Sequence, residues 1–367
     1  MSRQGALPYQ LIEELSALGR ISGAKPDSIK PSSIDLTLSD EAYEVSGIFQ
    51  PFANETVRQI VMSVKKKKIS LASVQLVTGK NYIVRLNESL NLTKSLYASC
   101  NPKSTSGRID THVRLLADGV SRYDTVPRGY KGELWIAISP KTFNIRLLPG
   151  ISLNQLRFFT EDTRLSPLEL EFALEKDKLL WHPDTGYFKP KDVLHNDYDG
   201  SAILRLDLSS SPAGYIGKHV ETAIDTSQSG ALDPKRFFSP IPIPKGKTNG
   251  QLVLKRGEFY ILSTYERVRV PPHLACEMAP MDERSGEFRS HYAGFIDPGW
   301  GWGKDGEGKG RTLTLEVRPF EDVVVRHLQP IGKIRFERMI DVPQIVYDAA
   351  GSNYVEQQGP RLAKYFK

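Results

Sequence analysis

Cysteine is almost missing from this sequence: Cys100 and Cys276 are the only two in 367 residues. That is too few for a disulfide framework, and a reducing cytoplasm is the expected setting. Long apolar runs are missing as well. Nothing approaches the roughly 18 consecutive apolar residues of a membrane-spanning helix, and Glu13 and Glu14 interrupt the opening segment where a signal peptide needs an unbroken apolar core. The sequence therefore predicts a soluble, intracellular protein with no membrane partner. Charge of one sign is also scarce. Forty-nine basic against 43 acidic residues leave a formal +6, which suits an anionic ligand but is far below the charge density of a dedicated nucleic-acid binder. The run Lys65 to Lys68 reads as a solvated loop, and no nucleic-acid partner is expected.

What is present is an internal repeat. Tyr82 falls on Tyr260, Glu88 on Glu266 and Pro102 on Pro280, each 178 positions apart, and Arg157-Phe158 falls on Arg335-Phe336 at the same spacing. A chain of this length exceeds one typical core, and two copies of one unit account for it. The expected organisation is a first unit at 1–165, a connecting segment at 166–185 and a second unit at 186–367. Short runs rich in β-branched and aromatic residues, such as "NYIVRL", "LWIAI", "FYILST" and "KIRF", are separated by Gly, Pro and Asn, so the fold is mainly β. Helices are few. One is expected in "LPYQLIEELSALG", and another after Ser166, which can cap a helix whose first turn accepts Pro167.

The stretch "LTLEV", Leu313 to Val317, poses the chemical question. Side chains alternate along a strand, so Leu313, Leu315 and Val317 face one way and Thr314 and Glu316 the other. In the repeat, Glu316 falls on Ala137. A scaffold that accepts alanine does not need the acid to fold, so the carboxylate is either on a wet face or in a site.

The segments "IKPSSIDLTL", "KSTSGR", "RSGEFR", "AGFIDPGW", "LTLEV" and "NYVEQQGP" occur in this order. Together they resemble the metal-independent dCTP deaminases, which share their fold with the trimeric dUTPases. The resemblance implies a mainly β fold, a tandem duplication of a dUTPase-like unit (a β-clip, or distorted β-barrel) with a few short helices. It implies hydrolysis of dCTP to dUTP and ammonia, with Glu316 as general base and proton shuttle. It also implies triphosphate contacts from Lys103, Ser104, Thr105 and Arg108 in the first copy and from Arg284, Ser285 and Arg289 in the second, although Lys103 and Gly286 depart from the family's R-S-S-x-x-R. By the same resemblance Ala293 meets the base, Asp297 the sugar, Thr314 the pocket wall, and Tyr347 and Gln357 belong to a tail that closes over the nucleotide. Magnesium arrives on the triphosphate, with no protein-bound metal, and a homo-oligomer is implied.

The residues test the zinc alternative. A zinc deaminase requires H-x-E followed by P-C-x-x-C; His219-Val220-Glu221 supplies the first half, but two isolated cysteines cannot supply the second. His182, His195 and His291 show no metal-ligand spacing. "GKDGEGK", Gly303 to Lys309, lacks the Ser or Thr of a P-loop and reads as a hairpin tip. Two other readings stay open: a dUTP diphosphatase, alone or coupled to deamination, and a noncatalytic nucleotide-binding protein of the same fold.

Overall fold

The computed structural model describes residues 4–195, 198–245, 250–279, 281, 288–289, 294–349 and 358–367. The chain forms two compact units. The first comprises 1–162 together with 219–233 and 363–367; the second comprises 163–218 and 234–362. Five strands recur in each. In the first unit they are β1 (Ile34–Val45), β2 (Asn81–Asn91), β3 (Tyr97–Pro102), β4 (Lys131–Pro140) and β5 (Ser152–Phe159). In the second they are β6 (Ser201–Arg205), β7 (Tyr260–Val268), β8 (Leu274–Ala279), β9 (Arg311–Pro319) and β10 (Pro330–Arg338). The mainly β expectation holds.

Register shows the repeat pair by pair. Leu156 of β5 lies opposite Ile34 and Cys100, while Ile334 of β10 lies opposite Ala202 and Met278. The buried glutamates explain why these polar positions recur. Glu88 accepts from the Thr37 backbone N–H at 2.8 Å and its hydroxyl at 2.7 Å. Glu266 accepts from the Arg205 N–H at 2.7 Å and its Nε at 2.5 Å. Each carboxylate satisfies an otherwise orphaned donor at one strand. The tyrosines repeat too: Tyr82 Oη accepts from Val77 N at 3.0 Å and Tyr260 Oη from Lys255 N at 2.8 Å.

In the first unit one barrel-like sheet runs Thr111–Ala117, β4, β2, β1, β5, β3 and Thr125–Val126. In the second, β6, β10 and β8 pair in one sheet, and β7 and β9 in another. The core between them includes Leu204, Leu262, Leu315, Val317, Ile334 and Phe336.

Three helices matter here: α1 (Tyr9–Ala17), α2 (Val57–Val64) and α3 (Pro167–Asp177). The first and third match expectation. Ser166 and Glu169 close a capping box at the start of α3, with Pro167 in its first turn. Helix α2, capped by Thr56 and Gln59, was not expected. The lysine run is a strand, Lys65–Ile69, rather than a loop. It pairs with β1, its four lysines are exposed, and buried Glu44 accepts ion pairs from Lys67 and Lys80 at 3.4 and 3.2 Å. Charged edges of this kind resist pairing with other chains. The stretch Gly303 to Lys309 is not a hairpin tip, because Phe295–Ile296 before it pairs with β8 while β9 after it pairs with β7.

One polar cluster near β6 carries a stability prediction. Burial pushes the Asp199 carboxyl up, but the Ser201 hydroxyl, Arg335 and Lys333 outweigh it and hold the group well below the usual carboxylate range. The ion pairs are 2.6 Å to Arg335 and 2.9 Å to the buried Lys333. A depressed acid contributes stability above its unfolded pKa and loses it as pH falls through the folded value. Asp199→Asn should therefore lower stability at pH 7 by about 1 kcal/mol, since solvent screens a carboxylate this exposed. Denaturant melts at stepped pH should show that gap closing as pH drops below about 4.

Candidate functional site

Strand β9 decides between the wet face and the site. Its Leu313, Leu315 and Val317 enter the core of the second unit, as alternation requires. The opposite face is not wet: Glu316 is 2% exposed, and Thr312 and Thr314 are also buried. The β7 partners of this face are Ile261 for Glu316, Ser263 for Thr314 and Arg267 for Thr312. Directly opposed residues share a face, so a polar ladder runs from Arg267 and Thr312 to Glu316.

Segment 358–362 lies over this ladder. Thr312 Oγ1 accepts from Gly359 N at 3.0 Å and Thr314 Oγ1 from Arg361 N at 3.4 Å. Alternate residues of the segment thus meet alternate residues of the strand. Beside it, the turn at Asp297 to Trp300 docks on the short helix Tyr347–Ala349: Tyr347 N donates to Pro298 O at 2.8 Å, and the Trp300 and Tyr347 rings are 4.9 Å apart. Gly299, at φ 90°, permits that approach, since a Cβ there would lie 2.7 Å from Val346 Cβ. Arg311 locks the helix from β9 by a bidentate pair with Asp348 at 2.6 and 3.0 Å.

The structure thus places Thr314 and Glu316 on one strand face and joins the Asp297 turn to Tyr347. Arg289 lies opposite Arg318 on a short strand against β9. Arg284, Ser285, Ala293 and Gln357 lie outside the described residues. In the first unit Lys103 precedes the helical turn Ser104–Gly107 and is ion-paired to Asp35. Ser104 is half-buried, and Thr105 and Arg108 are buried. Among the described residues no group of three His, Cys, Asp or Glu side chains is arranged to hold a metal ion.

The same face in the first unit is filled. Ile83 lies opposite Ala137 as Ile261 lies opposite Glu316, and Arg85 lies opposite Trp135 as Ser263 lies opposite Thr314. Trp135 and Ala137 pack with Val57 and Val61 of α2, Ile83 and Leu116. Arg58 of α2 sits 5.1 Å from the Trp135 ring centroid and pairs with Glu41 and Glu133 at 2.6 and 3.1 Å. An apolar plug therefore stands where the second unit has threonine and glutamate. Thr312 and Arg267 were missed in the sequence, because a shift of register between Ser263 and Arg267 hides their pairing.

Comparison with known proteins gives the following. A family model described as the 2'-deoxycytidine 5'-triphosphate deaminase N-terminal domain matches residues 3–162, and one for the C-terminal domain matches 188–366. A protein of Coprothermobacter proteolyticus named "dCTP deaminase, dUMP-forming" is 31% identical over 153 residues, which is 39% of this chain and 75% of that protein. A Corynebacterium diphtheriae protein of the same name is 29% identical over 146 residues, 37% of this chain and 71% of that protein. The crystal structure of 2'-deoxycytidine 5'-triphosphate deaminase from Agrobacterium tumefaciens is similar with a TM-score of 0.84 and 33% identity, over 93% of this chain and 97% of that one.

Proposed function

Because this chain belongs to the dCTP deaminase family, we propose that it hydrolyses the 4-amino group of dCTP, giving dUTP and ammonia, with Glu316 as general base and proton shuttle. The observation that carries this reading is the buried Glu316 on the polar face of β9, where the other copy has a buried Ala137.

Water adding to C4 of the pyrimidine must lose a proton, and Glu316 accepts it. The ring nitrogen and the departing amine must each gain one, and Glu316, reprotonated in turn, returns them. The balance is dCTP plus water to dUTP plus ammonia. One positioned carboxylate suffices because the protons pass in sequence. Thr314 forms the neighbouring wall, and the Asp297 turn with Tyr347 holds the sugar end. Lys103, Ser104, Thr105 and Arg108 contribute to triphosphate binding, with magnesium carried in on the nucleotide. We assign the protein to the cytoplasm as a homo-oligomer, for which light scattering at micromolar concentration should exceed the mass of one chain.

A second reading adds a diphosphatase step with dUMP as product, and the names of the two relatives favour it. The Agrobacterium structure, similar across nearly the whole chain, is named for deamination alone and favours dUTP. Chromatography of products from dCTP and magnesium separates the two: dUTP accumulating without dUMP is expected, and stoichiometric dUMP would move the assignment to the coupled reaction.

A further inference from the structure

A polar cavity of 340 Å³ opens at the start of β9, lined by Tyr265, Arg267, Thr312, Ser209, Ser210 and Gln358 among others. We propose that it binds an oxyanion of the phosphate class, held by Arg267, Tyr265 and Gln358. This site is distinct from the Lys103 to Arg108 run, and the proposal does not depend on the deamination reading.

The principal donor is unspent. Arg267 is half-buried, and among the described residues its guanidinium has no ion-pair or hydrogen-bond partner, whereas neighbouring Arg205 and Arg311 are paired with Glu266 and Asp348. A half-buried guanidinium gains most from an acceptor that fits its fork, and phosphate oxygens do. Thr312 Oγ1 accepts from Gly359 N, which holds the Gln358–Gly359 segment at the rim of the cavity.

Tyr265 follows from the tautomer of its neighbour. His182 Nδ1 accepts from the backbone N–H groups of Asp184 and Thr185 at 3.0 and 3.2 Å, so the neutral ring carries its proton on Nε2. That nitrogen lies 2.5 Å from Tyr265 Oη and donates to it, freeing the phenol O–H for the cavity. Burial raises the Tyr265 pKa, so the phenol keeps its proton at neutral pH.

Two carboxylates also line the cavity, and neither closes it to an anion. Asp207 Oδ1 accepts from Ser209 N at 2.8 Å and Ser209 Oγ at 2.6 Å, and its Oδ2 accepts from Ser210 Oγ. Asp184 is exposed on its turn. The first unit has Asn87, Ser89 and Glu133 at the positions of Tyr265, Arg267 and Thr312, so this lining belongs to one copy only.

Calorimetric titration of the full chain with sodium pyrophosphate tests this. The parent and Glu316→Gln should bind alike, and Arg267→Gln should bind roughly tenfold to a hundredfold more weakly. Arg267→Lys should fall between them, and unliganded melting curves should show both Arg267 variants folded. No binding by the parent, or equal binding by Arg267→Gln, would overturn the proposal. Repeating the titration with dCTP present identifies the source. Competition, with a raised KM for dCTP in Arg267→Gln, assigns the site to the phosphates of the bound nucleotide. Simultaneous binding with KM unchanged assigns it to a free anion.

Discussion

Glu316→Gln should lower kcat for dCTP deamination by about 10²- to 10⁴-fold. The amide preserves the volume and hydrogen-bonding reach of the side chain, so the packing around this 2%-exposed residue is kept. It cannot accept the proton of the attacking water. The loss should therefore appear in kcat with KM nearly constant, the pattern of an interaction made in the transition state. Folding should not suffer, because the change adds no volume and leaves a polar group in the same position. Steady-state kinetics with a thermal melt of the same sample checks both halves, and parent-like turnover by the variant would remove Glu316 from the mechanism.

The converse change in the other copy should be severe for stability and silent for chemistry. Ala137→Glu places a carboxylate among Trp135, Val57, Val61, Ile83 and Leu116, where the space is filled and the neighbouring guanidiniums, Arg58 and Arg114, are already paired with Glu41, Glu133 and Asp124. Overpacking and burial of an unsatisfied polar group together should cost at least about 3 kcal/mol. Urea unfolding followed by tryptophan fluorescence would measure it. The variant should gain no activity, since Trp135 fills the position that Thr314 holds in the second unit. A stable Ala137→Glu protein with extra turnover would mean that the first copy keeps a usable site.

The repeat was legible because it is written in polar residues the core cannot do without. A buried glutamate that satisfies a strand N–H, as Glu88 and Glu266 do, survives when apolar positions drift. The cap of α3 was legible for a similar reason, since Ser166, Pro167 and Glu169 each answer a local requirement of a helix start. Helix α2 was harder. Its capping box is present, but the helix has only eight residues and runs straight into four lysines whose strand identity comes from pairing with β1. For Glu316 the sequence offered a choice, exposed or in a site. The choice was made by what covers β9, and that depends on tertiary packing that alternation cannot report. The Arg267 cavity was invisible for a related reason: its residues come from segments far apart in the chain, and the bulge in β7 sets their register.

The inequality of the two copies, one with a glutamate on its polar face and one with that face plugged, is tested most directly by counting nucleotides. Glu316→Gln should bind dCTP without consuming it, and equilibrium titration should then give one nucleotide per chain. Two per chain would contradict the assignment of a single working site to the second unit, and none would contradict the assignment of that site to dCTP.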